Sequence, residues 1–105
     1  MRLVFNEELF FWRGPSPFHF VRVPEAESEE LSAISALVSY GWGVIPVVVT
    51  AGGTRWKTSL FPKEGGYLVP IKASVRDAEG LELGDTVRLM LTVEVSPERN
   101  SKRSR

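Results

Sequence analysis

Residues 55–87 read RWKTSLFPKEGGYLVPIKASVRDAEGLELGDTV, placing hydroxyls, cations and aromatic rings at spacings that could build an anion-accepting pocket. Strand alternation puts Arg55, Lys57 and Ser59 on one face and Trp56, Thr58 and Leu60 on the other. Lys72 and Arg76 lie four residues apart on a short helical turn, so both project from one side of it. If that turn caps the strand, Thr58, Ser59, Lys72 and Arg76 converge. Hydroxyls beside two cations and a helix start suit a carboxylate or a phosphate. Trp56 or Tyr67 would supply an aromatic wall, with Lys57 nearby. Arg76 has a second reading, an ion pair with Asp85 or Glu79 that locks the turn.

Catalytic chemistry finds less support. The single histidine, His19, sits between Phe18 and Phe20 in a strand pattern, and no nucleophile or acid partner stands at a recognisable spacing from it. A strand histidine flanked in this way is read as exposed or hydrogen-bonded. The chain has no phosphate-cradling GxxxxGK motif, no GxGxxG and no GxSxG. With no cysteine there is no disulfide and no thiolate metal site. A metal site would need carboxylates and His19, and no motif arranges them. No catalytic residue, metal or cofactor is therefore expected.

The elements that must position these groups are mainly strands. Leu3, Phe5, Leu9 and Phe11 alternate with Asn6 and Glu8, which predicts a first strand with the odd residues inward. Pro15 and Pro17 break the chain, and residues 18–23 read as a second strand. Pro24 and the acidic cluster Glu25, Glu27, Glu29 and Glu30 open an amphipathic helix over about 25–39. Its apolar stripe is Leu31, Ile34, Leu37 and Val38, with Gly41 placed to end it. Residues 44–50 are nearly all β-branched and apolar, which predicts a central strand covered on both faces. Gly52 and Gly53 make a hairpin turn into a fourth strand, residues 55–61. Residues 62–66 turn again into a fifth strand, 67–71. A helical turn over about 72–79 ends at Gly80, with Leu81 packing back on it. After Gly84 and Asp85 the last strand points Val87, Leu89, Leu91, Val93 and Val95 inward. Six strands, short hairpins and one helix predict a mainly β fold, a small β-barrel with the helix capping or plugging an opening.

At 105 residues the chain is one domain, large enough for a core without staples. The domain is placed at 1–96, followed by a basic and loose tail at 97–105. Arg99, Lys102, Arg103 and Arg105 lie near or in that tail, and without them nine basic residues face thirteen acidic ones. That balance argues against a nucleic-acid surface on the folded part. Glu7 and Glu8 interrupt the apolar N-terminus, so no signal peptide is read there, and the longest apolar run falls well short of a membrane span. A soluble, cytoplasmic protein is expected. The aromatic segment Leu9-Phe10-Phe11-Trp12, with Phe18 and Phe20, reads as core or a homodimer contact, with a ligand-lined barrel mouth as the alternative.

Several strings stand in an ordered, spaced pattern: Trp56-Lys57-Thr58-Ser59-Leu60-Phe61-Pro62, Gly66-Tyr67-Leu68-Val69-Pro70-Ile71-Lys72, Val75-Arg76, Gly80-Leu81 and Gly84-Asp85-Thr86-Val87. Phe11-Trp12 and Phe20-Val21-Arg22-Val23-Pro24 fit the same pattern. With these the chain resembles a small bacterial family of unknown function over about residues 3–95. Members are similar to the domain that precedes a bacteriocin-protection (YdeI/OmpD-associated) segment in longer proteins, a segment with no counterpart here. The resemblance implies a double-split β-barrel related to AbrB-like regulators. Pro70, Arg76, Gly80-Leu81 and Asp85 echo the AbrB hairpin, but the gap between Pro70 and Arg76 is wider. The arginine cluster that AbrB-type proteins present to DNA is missing.

Three functions are set against one another. The first is a non-enzymatic binding module taking a small anionic ligand or peptide through Trp56, Lys57, Thr58, Ser59, Tyr67, Lys72 and Arg76. The alternative is an AbrB-like dimer that contacts nucleic acid with help from the basic tail, through salt-sensitive binding. The third, ranked last, is an enzyme built on carboxylates such as Asp77, Glu79 and Asp85.

Overall fold

The structure, a computed structural model, describes residues 1–13, 18–38 and 44–93, without the side chains of residues 36–38. Six strands and two helices follow one another as β1 (Arg2–Trp12), β2 (Phe18–Arg22), α1 (Glu25–Val38), β3 (Ile45–Ala51), β4 (Thr54–Lys63), β5 (Gly66–Pro70), α2 (Ala73–Glu79) and β6 (Thr86–Thr92). The strands close into a barrel in the order β1-β2-β5-β4-β3-β6, with every neighbouring pair antiparallel. The predicted small six-stranded barrel is therefore the observed fold. Closure gives each strand two hydrogen-bonded edges and removes the exposed edge that a short open sheet would present.

Alternation fixes which side chains fill the interior. Val87, Leu89 and Leu91 of β6 are buried, as are Leu3 and Phe5 of β1 opposite Leu91 and Leu89, and Leu9 opposite Val21 of β2. Val93, just past β6, is buried too, whereas Val95 lies outside the described residues. Phe11 departs from the expected inward set at 40% exposure, because β1 has by then run past the packed interior to the barrel rim. Strand β3 also corrects an expectation. Ile45, Val47, Val49 and Ala51 are buried, but Pro46, Val48 and Thr50 between them are only half covered. A closed barrel supplies β3 with neighbours on both edges, so its β-branched run needs no second layer.

Helix α1 places its fully buried Leu31 in the barrel core, with Ile34 packed against it. The buried Ser28 hydroxyl donates to the Val23 carbonyl (3.3 Å) and the Ser28 N–H donates to Pro24 (2.8 Å), fixing how the helix leaves β2. The side chains of Leu37 and Val38, and the stop at Gly41, lie outside the described residues. No described helix is long and apolar enough to cross a membrane.

Both hairpins form where the glycines predicted them. In the β4–β5 hairpin Lys63 pairs with Gly66, so Glu64 and Gly65 form a two-residue turn with φ of +51° and +78°. Two positive φ values match the right-handed strand twist, but Glu64 occupies a region disfavoured for side chains other than Asn, Asp and His. Glu64→Asn should stabilise the protein by about 0.5–1 kcal/mol, part of the left-handed penalty. Its ion pair to Lys63, at 4.0 Å with Glu64 75% exposed, adds little to lose. A urea midpoint unmoved or lowered in the variant would contradict this.

Candidate functional site

Helix α2 follows β5 after two residues and ends at Gly80, whose φ of +63° lets Leu81 N–H close onto the Arg76 carbonyl (2.9 Å). Val75 is buried, and Leu81 packs on the core as expected from the sequence. With that face inward, Lys72 and Arg76 are left at the rim over β2 and β4. Together they line a pocket of about 300 Å³ with Phe18, His19 and Thr58, on an apolar floor of Pro70, Ile71 and Ala73. Among the described residues no carboxylate lines it.

Arg76 is half-buried and its Nε donates a long hydrogen bond to the Ile71 carbonyl at 3.4 Å. The ion pair predicted as the alternative does not form. Asp85 accepts from Glu82 N–H (2.9 Å) and so caps its own turn. Glu79 accepts from the Thr54 hydroxyl and lies over Gly52, holding α2 to the β3–β4 hairpin. The Arg76 side chain thus carries its charge beside the pocket without a described carboxylate partner within ion-pair distance.

His19 is held by the barrel itself. Its carbonyl accepts from Ile71 N–H at 2.9 Å and its ring meets the edge of Phe11 at 5.1 Å, 71° between planes. Desolvation, and then the Arg76 charge, lower its pKa from the ordinary 6.5. Neutral His19 therefore sits beside cations, and an anion entering the pocket would favour its charged form. The sequence reading passed over His19 as an isolated strand histidine. The signal that could have found it is its two-residue spacing from the buried Val21, which places it on the inward face at the strand end.

The other predicted site residues separate. Thr58 shares the inward face of β4 with Trp56 and Leu60, whereas Ser59 and Lys57 point outward opposite Pro46 and Val48. Thr58 and Ser59 therefore cannot meet one ligand from the same side. Trp56 and Tyr67 are packed into the barrel core at 8% and 6% exposure, so neither walls this pocket. Phe18, half-exposed, takes that place.

Outside the barrel a second apolar cluster forms on β1, β2, β4 and β5. Phe20 and Leu68 are buried there, apart from the interior core, and Phe20 meets the rings of Phe10, Trp12, Phe18 and Phe61 at 6.0–6.5 Å. Trp12, Phe18 and Phe61 remain partly exposed and line a groove of about 530 Å³. Lys63 covers one end, its Nζ 4.3 Å from the Trp12 ring centroid. Among the described residues no group of three or more His, Asp or Glu is placed to hold a metal ion. The basic tail lies outside the described residues.

None of the curated proteins compared with the chain matches it. Residues 5–91 match the family model described as Domain of unknown function (DUF1905), a span that takes in all but the first residues of β1 and the end of β6, and the chain belongs to that family.

Proposed function

We propose that the protein is a non-enzymatic, cytoplasmic binding module of bacterial type that accepts a small anion at the rim pocket. One observation carries the reading: Lys72, Arg76, His19 and Thr58 face a single concavity that no described carboxylate lines. Two cations and a hydroxyl supply charge-assisted and neutral donors, and the protein surface around them lowers the effective dielectric. The pocket sits at the lower end of the range of about 300–1,000 Å³ usual for ligand sites. That size favours a compact head group over a whole nucleotide.

The test is a thermal-shift and NMR screen with acetate, short carboxylates and inorganic phosphate. Binding anions should raise both the melting temperature and the His19 pKa. The Lys72→Ala, Arg76→Ala double variant should abolish both responses. If every ligand-induced shift survives in that variant, the pocket reading is wrong.

A further inference from the structure

The rim pocket and the external aromatic groove have a wall residue in common. Phe18 lines both and is 51% exposed. The charge along the combined surface is lopsided. In the groove the Lys63 ammonium lies 4.3 Å from the Trp12 ring centroid, with the exposed Glu64 carboxylate 4.0 Å away. At the pocket end Lys72 and Arg76 face no carboxylate in the lining. The groove's walls include Trp12, Phe20, Phe61 and Leu68.

We propose that the ligand is an amphiphilic carboxylate whose head lies between Lys72 and Arg76 and whose hydrocarbon body crosses Phe18 into the aromatic groove. The inference rests on the anion reading of the rim pocket and gives its ligand a chemical class. Complementarity of charge sets the orientation, because the pocket end offers two cations with no described carboxylate in its lining, whereas the groove holds Lys63 and Glu64 together. The groove answers the other half of the ligand. Its exposed aromatic rings gain by leaving water, and each methylene laid on them adds to affinity. Inorganic phosphate or acetate would use the pocket alone. An alkylamine of the same length would meet the groove but bring like charge to Arg76.

The experiment measures dissociation constants by NMR for acetate, butyrate, hexanoate, octanoate, inorganic phosphate and octylamine, with the single His19 ring as one probe. Affinity should rise along the carboxylate series by about two- to fourfold per methylene, near the value for burying one such group. Octylamine should leave the His19 resonance in place. Phe61→Ser and Trp12→Ser, at positions 44% and 39% exposed, should each flatten the chain-length dependence without moving the acetate constant. Acetate and octanoate binding alike, with Arg76→Ala weakening both, would overturn the amphiphile while leaving the anion pocket standing. Equal binding of octanoate and octylamine, insensitive to Arg76→Ala, would overturn it in favour of an unspecific apolar groove. If neither carboxylate nor phosphate perturbs His19, the anion reading beneath it fails as well.

Discussion

Replacing Leu89 by alanine should cost about 2–5 kcal/mol, the range for deleting a fully buried leucine from a close-packed core. Leu89 has no exposed surface, points into the barrel from the middle of β6 and lies opposite Phe5 of β1. It is surrounded on all sides because the barrel closes through β6, which pairs with β1 on one edge and β3 on the other. The cavity left behind cannot collapse without pulling one of those ladders out of register. Since domains of this size are stable by about 5–15 kcal/mol, the loss takes a large share of the total. Arg88→Ala, one residue away but exposed, should shift stability by less than about 0.5 kcal/mol. Urea denaturation of the pair checks the inward register directly. A Leu89→Ala midpoint close to that of Arg88→Ala would mean that β6 does not face the core as described.

Arg76→Ala should weaken binding of acetate or phosphate by about 10- to 100-fold, the loss of a hydrogen bond to a charged group. It should also raise the pKa of free His19 toward its ordinary value by removing the second cause of its lowering. The first cause, desolvation, remains, so the return is incomplete. The sign for stability follows from linkage. His19 binds its proton less readily in the folded protein than in the unfolded chain, whose ordinary pKa is 6.5. Well above pH 6.5 both states are neutral at this position and it contributes no slope. As pH falls below that value the unfolded chain takes up protons first, and folding stability declines until folded His19 titrates too. His19→Gln should remove this part of the acid slope, and Arg76→Ala should shrink it. Anion binding runs the other way and should strengthen as His19 becomes protonated. Chemical-shift titration of the one imidazole follows all three effects, and a His19 pKa unchanged by Arg76→Ala would remove the coupling.

Much of the barrel is written locally. The alternation Val87, Leu89, Leu91 needs only the two-residue period of a strand and a boundary between water and an interior. Gly52 with φ of +58° and Gly65 with φ of +78° mark both hairpins because few other residues enter that region cheaply. Gly80 ends α2 for the same reason. Local rules also held enough to part Thr58 from Ser59, since adjacent strand residues face opposite ways, although convergence of both had been expected. The all-apolar run of β3 misled because composition reports how well a residue suits a strand, not how many layers cover it.

The site is different in kind. His19 is more than fifty residues from Arg76 along the chain, and they become neighbours only because β2 pairs with β5 and α2 follows β5 directly. Which acid Arg76 would take depended on where Glu79 and Asp85 spend their hydrogen bonds, on Thr54 and Glu82 respectively. Trp56 and Tyr67 carry aromatic rings that made them candidates for a ligand wall, yet closure of the barrel needed those rings inside. By itself the sequence determined the strands, their inward faces and the turns, because these follow from neighbours along the chain. Only the tertiary structure decided that Thr58, Lys72 and Arg76 share a pocket with His19 and Phe18, since that depends on which strands pair and where the barrel ends.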